Sequence, residues 1–168
     1  MSLVTLLTGG RGTFSGGIHP RKEKGLAADC PIEVLPTPKG VRIALLQHLG
    51  APCETLVKPR AAVELGQMIG RSEAFVSAPV HASVAGTVAR TSVATLPNGR
   101  HVAIVPIRAA EQQPLAGRAM FEDAYGGSWP LDDAERCSAQ DVVDAARDSG
   151  LVGLGGAAFP THVKLLSN

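Results

Sequence analysis

The sequence predicts a mainly β domain, a flattened sandwich of short strands with one helix near the C-terminus. Three observations lead there. First, Leu56 to Val88 alternates short apolar strand candidates with turn residues: Leu56-Val57, then Gly66 before Met68-Ile69, Phe75-Val76, Val80 and Gly86-Thr87-Val88. Second, 19 glycines and 12 prolines make the chain turn-rich, while only 4% of residues are aromatic, so the core must be small and aliphatic. Third, Asn98-Gly99 is a strong hairpin signal placed just before the apolar run His101 to Ile107.

Size and charge bound the function. A chain of 168 residues and 17.3 kDa can bury one core, or one core and a small appendage. The formal net charge of +1 supplies no electrostatic argument for nucleic acid or for an anionic membrane surface, and no nucleic-acid partner is expected. Cys30, Cys53 and Cys137 lie far apart without a CxxC pair, so the usual signatures of iron–sulfur and thiolate–zinc sites are missing. The odd cysteine number points to a reducing compartment. The first residues, MSLVTLLTGGRG, have no basic flank and no long apolar core, so no signal peptide is expected. Apolar runs fall far short of the roughly 20 residues needed to span a bilayer, which leaves peripheral association through a partner.

In chain order, Thr8 to Pro20 (TGGRGTFSGGIHP) reads as an extended glycine-rich arm anchored by Phe14 and Ile18. His19 precedes a proline and is expected to be structural or solvent-facing. The charged segment Arg21 to Gly25 reads as a solvated turn, and the proline-framed PIEVLPTP allows one short edge strand at most over residues 32–35. Val41 and Ile43 flank Arg42 in a half-buried strand pattern that Ala44 to Leu46 continues inward. Gln47 and His48 then open a turn, and a hydrogen-bonding role stapling two turns is expected of them rather than catalysis.

Gly66 and Gly86 are placed to fix two sharp turns, through positive φ or close backbone approach. Pro79 fits a strand start or an edge. In His101 to Ile107, Val102, Ile104 and Pro106 share one face and Ala103, Val105 and Ile107 the other. Two apolar faces predict a central strand whose end Pro106 demotes to an edge. Composition changes from Arg108 to Asp133, a segment read as a connection packed through Trp129. Ser138 and Asp141 then form a capping box for a helix over Ala139 to Ser149, with Val142, Val143 and Ala146 on one face and Gly150 as its stop.

The last stretch, GLVGLGGAAFPTHVK, holds Gly153, Gly155 and Gly156, where backbone can approach a flat or phosphorylated ligand with no Cβ in the way. Pro160-Thr161 starts a helix whose amides, with Lys164, would suit a phosphate. The spacing is neither a dinucleotide GxGxxG nor a Walker motif, and a tight packing turn explains the same glycines.

The segments FSGGIHP, PIEVLPTPKGVRIALLQHLGAPCETLVK, VSAPVHASVAGTV and SGLVGLGGAAFPTHVKL together resemble the N-terminal part of the C subunit of the Rnf electron transport complex, an ion-translocating ferredoxin:NAD oxidoreductase. The resemblance covers nearly the whole chain and is weakest between about Arg108 and Ala134. It implies a barrel-sandwich hybrid, half-lipoyl-like, where the residues alone predict a flattened sandwich. The glycine loop is similar to the start of the flavin- and NADH-binding domain of the 51 kDa subunit of respiratory complex I. On that resemblance Gly153, Gly155 and Gly156 match the loop passing FMN, Phe159 and Pro160 close it, and Lys164 matches a lysine near the flavin phosphate. Val152 and Leu154 stand where that pattern has arginines, Ala158 replaces a glycine, and Pro59-Arg60 replaces a Gly-Asp turn.

The resemblance thus implies residues 1–29 as the arm, 30–108 as the barrel-sandwich hybrid, 109–137 as a connection, and 138–168 as a helix plus the start of a truncated α/β flavin-binding domain. FMN and 4Fe-4S clusters are expected in a longer parent, with FMN binding weak or absent in this chain. The implied partners are other subunits of a membrane electron-transfer complex and, through the complete parent domain, NAD(H), on the cytoplasmic side of the membrane. The chain itself is then expected to be a structural or docking piece, a fragment or truncated relative, and not catalytic. A free-standing β binding or assembly module without flavin is the alternative. A carrier domain with a modified lysine is disfavoured, because Lys58 follows a strand instead of crowning a tight hairpin.

Overall fold

The computed structural model describes residues 24–25, 27–31, 33–97, 99–125 and 136–167. The chain forms two compact units, Met1–Glu33 and Val34–Asn168. In the first, the described residues make a turn in which the Ala27 and Ala28 amides both donate to the Lys24 carbonyl, at 3.0 and 2.9 Å. The glycine-rich arm with Phe14, Ile18 and His19 lies outside the described residues, as does Trp129.

The second unit carries eight strands and three helices among the described residues. In order they are β1 (Gly40–Ala44), β2 (Glu54–Thr55), β3 (Ala62–Val63), β4 (Met68–Arg71), β5 (Val80–His81), β6 (Gly86–Val88), β7 (Ser92–Thr95), β8 (His101–Ala109), α1 (Gly117–Tyr125), α2 (Ala139–Asp148) and α3 (Thr161–Leu166). One sheet has the order β1-β8-β6-β3 with β7 also on β8, and the other is β2-β4-β5; every pairing is antiparallel. Neither sheet closes into a barrel among the described residues.

Strand β8 is the central element, as its two apolar faces predict. Ile104 pairs with Ala44 of β1 and with Ser92 of β7, so those strands flank opposite edges of β8. Val105 and Ile107 point into the main core with Ile43, Leu45, Ile69, Val80 and Val88, while Val102 and Ile104 join Leu46 in a second cluster. Burial of such side chains is the dominant favourable term, about 1.5–3 kcal/mol for each large aliphatic group.

Pro106 does not end the strand at an edge, contrary to expectation. It pairs with Arg42 of β1, and its carbonyl accepts the Ala89 amide at 2.8 Å. Its missing N–H therefore faces the break between β6 and β7, where residues 89–91 leave the ladder and no donor is needed. The turn readings divide similarly. Gly66 has φ +80° and closes the β3–β4 turn, and Gly99 has φ +81° in the β7–β8 hairpin. Gly86 instead lies inside β6, in ordinary extended backbone, and is required by close packing.

Four further expectations change. Phe75-Val76 forms no strand: Phe75 is exposed in a bend, and the Val76 carbonyl is committed to the Ala51 amide at 3.0 Å. Residues 33–38 likewise form no strand. The strand candidate Leu56-Val57 lies outside any strand, the strand here being Glu54–Thr55 just before it. The segment after Arg108 contains helix α1, which carries no acidic residue in its first turn and no basic residue in its last. Gln113 ties that segment to the start of β6, accepting from the Ala85 amide and donating to the Ala85 carbonyl, each at 2.8 Å.

Helix α2 starts as its capping box predicts. Ser138 Oγ accepts the Asp141 amide at 3.2 Å and the Asp141 carboxylate accepts the Ser138 amide at 2.8 Å. Val143 and Ala146 are buried, but Val142 is 49% exposed and belongs to the solvent face. Gly150, at φ +68°, ends the helix, donating to the Arg147 carbonyl at 2.9 Å. Lys58, finally, opens the Lys58–Ala61 turn between β2 and β3, strands of different sheets, so no hairpin presents it.

Candidate functional site

The glycine loop leaves α2 at Gly150 and returns to α3 at Thr161, and its base is a short ladder. Val152 bridges Pro160, the Gly153 amide donates to the Phe159 carbonyl at 2.9 Å, and the Thr161 amide donates to the Leu151 carbonyl at 2.9 Å. Gly153, Phe159 and Lys164 are thereby brought together. The Lys164 ammonium lies 5.8 Å from the centre of the Phe159 ring, within cation–π range. A Cβ on Gly153 would sit 3.8 Å from that ammonium, so glycine leaves the backbone open toward the cation.

Gly155 and Gly156 occupy the tip of the loop, where an added Cβ would meet nothing within 4 Å. Gly156 requires glycine for its φ of +100°, and Ala158 is held at φ +48°. The Leu154 side chain beside them is fully exposed. The loop therefore suits the approach of a phosphate group, through open backbone and one cation, but its Gly155-Gly156 tip itself carries no side chain on which a flat ring system would stack. The Thr161 amide, expected to be available to such a phosphate, is committed to Leu151, and α3 is only six residues long.

The loop rests on the sandwich. The Leu49 amide donates to the Ala158 carbonyl at 3.2 Å, joining the loop to the turn after β1. His48 stands beside that contact, buried, with Nε2 at 3.0 Å from the Ala51 carbonyl and from Ser77 Oγ, and at 3.2 Å from the Ala78 amide. Ser77 Oγ donates to the Ala51 carbonyl at 3.0 Å, and the Cys53 thiol donates to the Ala78 carbonyl at 3.1 Å. Burial raises the Cys53 pKa, offset only in part by the Ser77 hydroxyl. This is the hydrogen-bonding staple expected of His48. Gln47, its expected companion, merely donates to the Ala44 carbonyl at the surface.

Within α3, the buried His162 donates from Nε2 to the Phe75 carbonyl at 3.2 Å, and its Nδ1 has no hydrogen-bond partner among the described residues. A cleft of about 740 Å³ opens where Gly156, Ala157 and Ala158 face strand β1, with Arg42, His81 and Arg100 also lining it. No local sequence signal marks this cleft, because its lining comes from four separated segments. Among the described residues no group of three or more metal-ligating side chains is found, and no helix is long and apolar enough to cross a membrane.

Known proteins share much of this chain. Residues 12–112 match the family model described as the RnfC barrel sandwich hybrid domain. Over 154 residues the chain is 40% identical to the C subunit of the Na⁺-translocating ferredoxin:NAD⁺ oxidoreductase complex of Acetobacterium woodii, covering 92% of this chain and 33% of that protein. It is 36% identical over 154 residues to the C subunit of the proton-translocating ferredoxin:NAD⁺ oxidoreductase complex of Clostridium ljungdahlii, covering 91% and 32%. A third similar protein is the C subunit of the ion-translocating oxidoreductase complex of Rhodobacter capsulatus, 34% identical over 153 residues, covering 91% and 28%. The chain spans no more than 33% of the length of these three relatives.

Proposed function

The chain belongs to the RnfC barrel sandwich hybrid family, and on that premise we propose that it serves as a docking and assembly module in a membrane-associated complex passing electrons between ferredoxin and NAD. The carrying observation is that the matched residues 12–112 include the whole two-sheet core, from Ile43 to Ile107. The module would sit peripherally on the cytoplasmic side, held by other subunits of the complex.

The glycine loop is, on this reading, the first element of a flavin- and NADH-binding region. Gly153, Gly155 and Gly156 would pass the FMN phosphate, and Lys164, steadied over the Phe159 ring, would neutralise part of its charge. FMN, when bound, supplies the chemistry of accepting and releasing electrons one or two at a time, and 4Fe-4S clusters belong to a region outside this chain. What this chain contributes is position: the ladder at Gly153 and Phe159 and the Leu49–Ala158 bond fix the loop against the sandwich.

Affinity purification of the chain, tagged in its own host, from gently solubilised membranes tests the docking role. Co-purification with membrane-embedded redox subunits is expected. Recovery only from the soluble fraction, as an isolated polypeptide, would favour a free-standing binding module without flavin.

A further inference from the structure

Charge is segregated along the chain although its formal net value is only +1. From Ala74 to Ala110, the stretch that supplies β5 to β8, no aspartate or glutamate occurs, and β1 and β3 have none either. The five-stranded sheet therefore carries no carboxylate on any strand. Its outer face gathers arginines instead. Val63, Val88 and Ile107 point into the main core, which leaves Ala62, Thr87 and Arg108 exposed on the opposite face. Arg108 pairs with Thr87, and Thr87 with Ala62, so the three form one row across β8, β6 and β3. Two more exposed arginines border the row. The Arg60 amide donates to the Val88 carbonyl at 2.8 Å, and Arg90 follows Ala89, whose amide donates to the Pro106 carbonyl at 2.8 Å. None of the three guanidinium groups has an ion pair or hydrogen bond among the described residues.

Protection of a sheet edge does not explain this arrangement. Arg108 stands on β8, the central strand, with β1 on one side and β6 on the other. Its cross-strand neighbours are Gly40 and Thr87, neither of which can balance its charge. We propose that this face docks an acidic protein surface within the membrane complex, with Arg60, Arg90 and Arg108 as its contacts. The proposal rests on the docking role above and names the face that performs it. Guanidinium groups on a rigid sheet suit carboxylates, which they meet in paired, directional hydrogen bonds. Ala62 and Thr87 between them are small, so a facing surface can approach closely. The patch offers no aromatic ring on which a base would stack and no large apolar side chain that would enter a lipid interface. None of its residues lines the cleft beside the glycine loop.

Rebinding of the purified 168-residue chain to salt-washed membranes, from a native-host strain lacking its gene, tests this. Saturable binding is expected, lost when the membranes are first shaved with protease. It should also be released by about 1 M NaCl, where charges are screened beyond roughly 3 Å. Arg60→Gln, Arg90→Gln and Arg108→Gln together should weaken binding about tenfold with an unchanged melting temperature. Arg60→Lys, Arg90→Lys and Arg108→Lys together should restore part of it. Arg71→Gln, Arg118→Gln and Arg147→Gln remove as many charges from arginines already paired with carboxylates, and should leave it unaltered. An equal loss from that second set would overturn the proposal, since net charge and not one face would then decide binding. Binding undiminished by the first set would also overturn it while the docking role stands. Equal binding to protein-free vesicles of phosphatidylcholine and phosphatidylglycerol would overturn it in favour of a lipid surface. No binding of the unaltered chain to the membranes would remove the docking role, and the proposal with it.

Discussion

The carbonyl of Arg108 occupies the space that a Cβ on Gly86 would need. Strands β6 and β8 are so close at this point that only glycine fits, although Gly86 has an extended conformation open to any residue. Gly86→Val must push backbone against backbone, which flexible side chains cannot relieve. It should destabilise the fold by about 2–4 kcal/mol. Urea unfolding of both proteins checks this, and equal midpoints would mean the strands separate at no cost.

Arg60 presents the opposite case, a side chain where glycine would be easier. It has φ +72° at the third position of the Lys58–Ala61 turn, held by its amide to the Val88 carbonyl at 2.8 Å. The left-handed conformation costs a non-glycine residue about 1–2 kcal/mol, while glycine adds roughly 0.5–1 kcal/mol of chain entropy loss. Arg60→Gly should therefore stabilise the protein by about 0.5 kcal/mol. A lowered urea midpoint would show that the arginine side chain itself contributes to the turn.

The cap of α2 should respond to acid. The Ser138 hydroxyl, then the Ser138 amide, lower the Asp141 pKa below the ordinary carboxylate value. A carboxylate depressed in the folded state stabilises above its unfolded pKa, and that contribution disappears as pH falls through the depressed value. NMR titration of the Asp141 carboxyl should give a value below ordinary aspartate, returning toward it in Ser138→Ala. An ordinary titration in the unaltered protein would contradict the cap geometry.

Local signals in the sequence carry well into the structure. The Ser138–Asp141 box, the Gly99 hairpin and the two-faced apolar run of β8 are each decided within a few residues. Where a position depends on distant backbone, the sequence marks the residue but not its reason. Gly86 stands out as special, yet the cause is Arg108, 22 positions away (108 − 86). Phe75-Val76 reads as a strand because it is apolar, but no partner strand reaches it. Helix α1 escapes a sequence reading since it has neither charged signal at its ends. Within the glycine loop, the meeting of Gly153, Phe159 and Lys164 is legible, whereas the basic cleft beside it is assembled only by the fold.

The open tip of that loop limits what the chain can hold unaided. With Leu154 fully exposed and no described atom within 4 Å of a Cβ added at Gly155 or Gly156, the loop tip itself offers a bound isoalloxazine backbone but no stacking side chain. Two or three phosphate contacts must also offset the cost of immobilising the ligand. Titration of the purified 168-residue chain with FMN should give a dissociation constant weaker than about 1 μM, equivalent to roughly −8 kcal/mol. Tighter binding would mean that the site is already complete.

The most direct measurement is ferredoxin-dependent NAD reduction by membranes from the native host, with and without the gene for this chain. The proposed docking and assembly role makes the protein necessary for that activity, so on this proposal deletion should abolish it and the restored gene should recover it. Membranes that keep full ferredoxin:NAD activity without the chain would contradict the account.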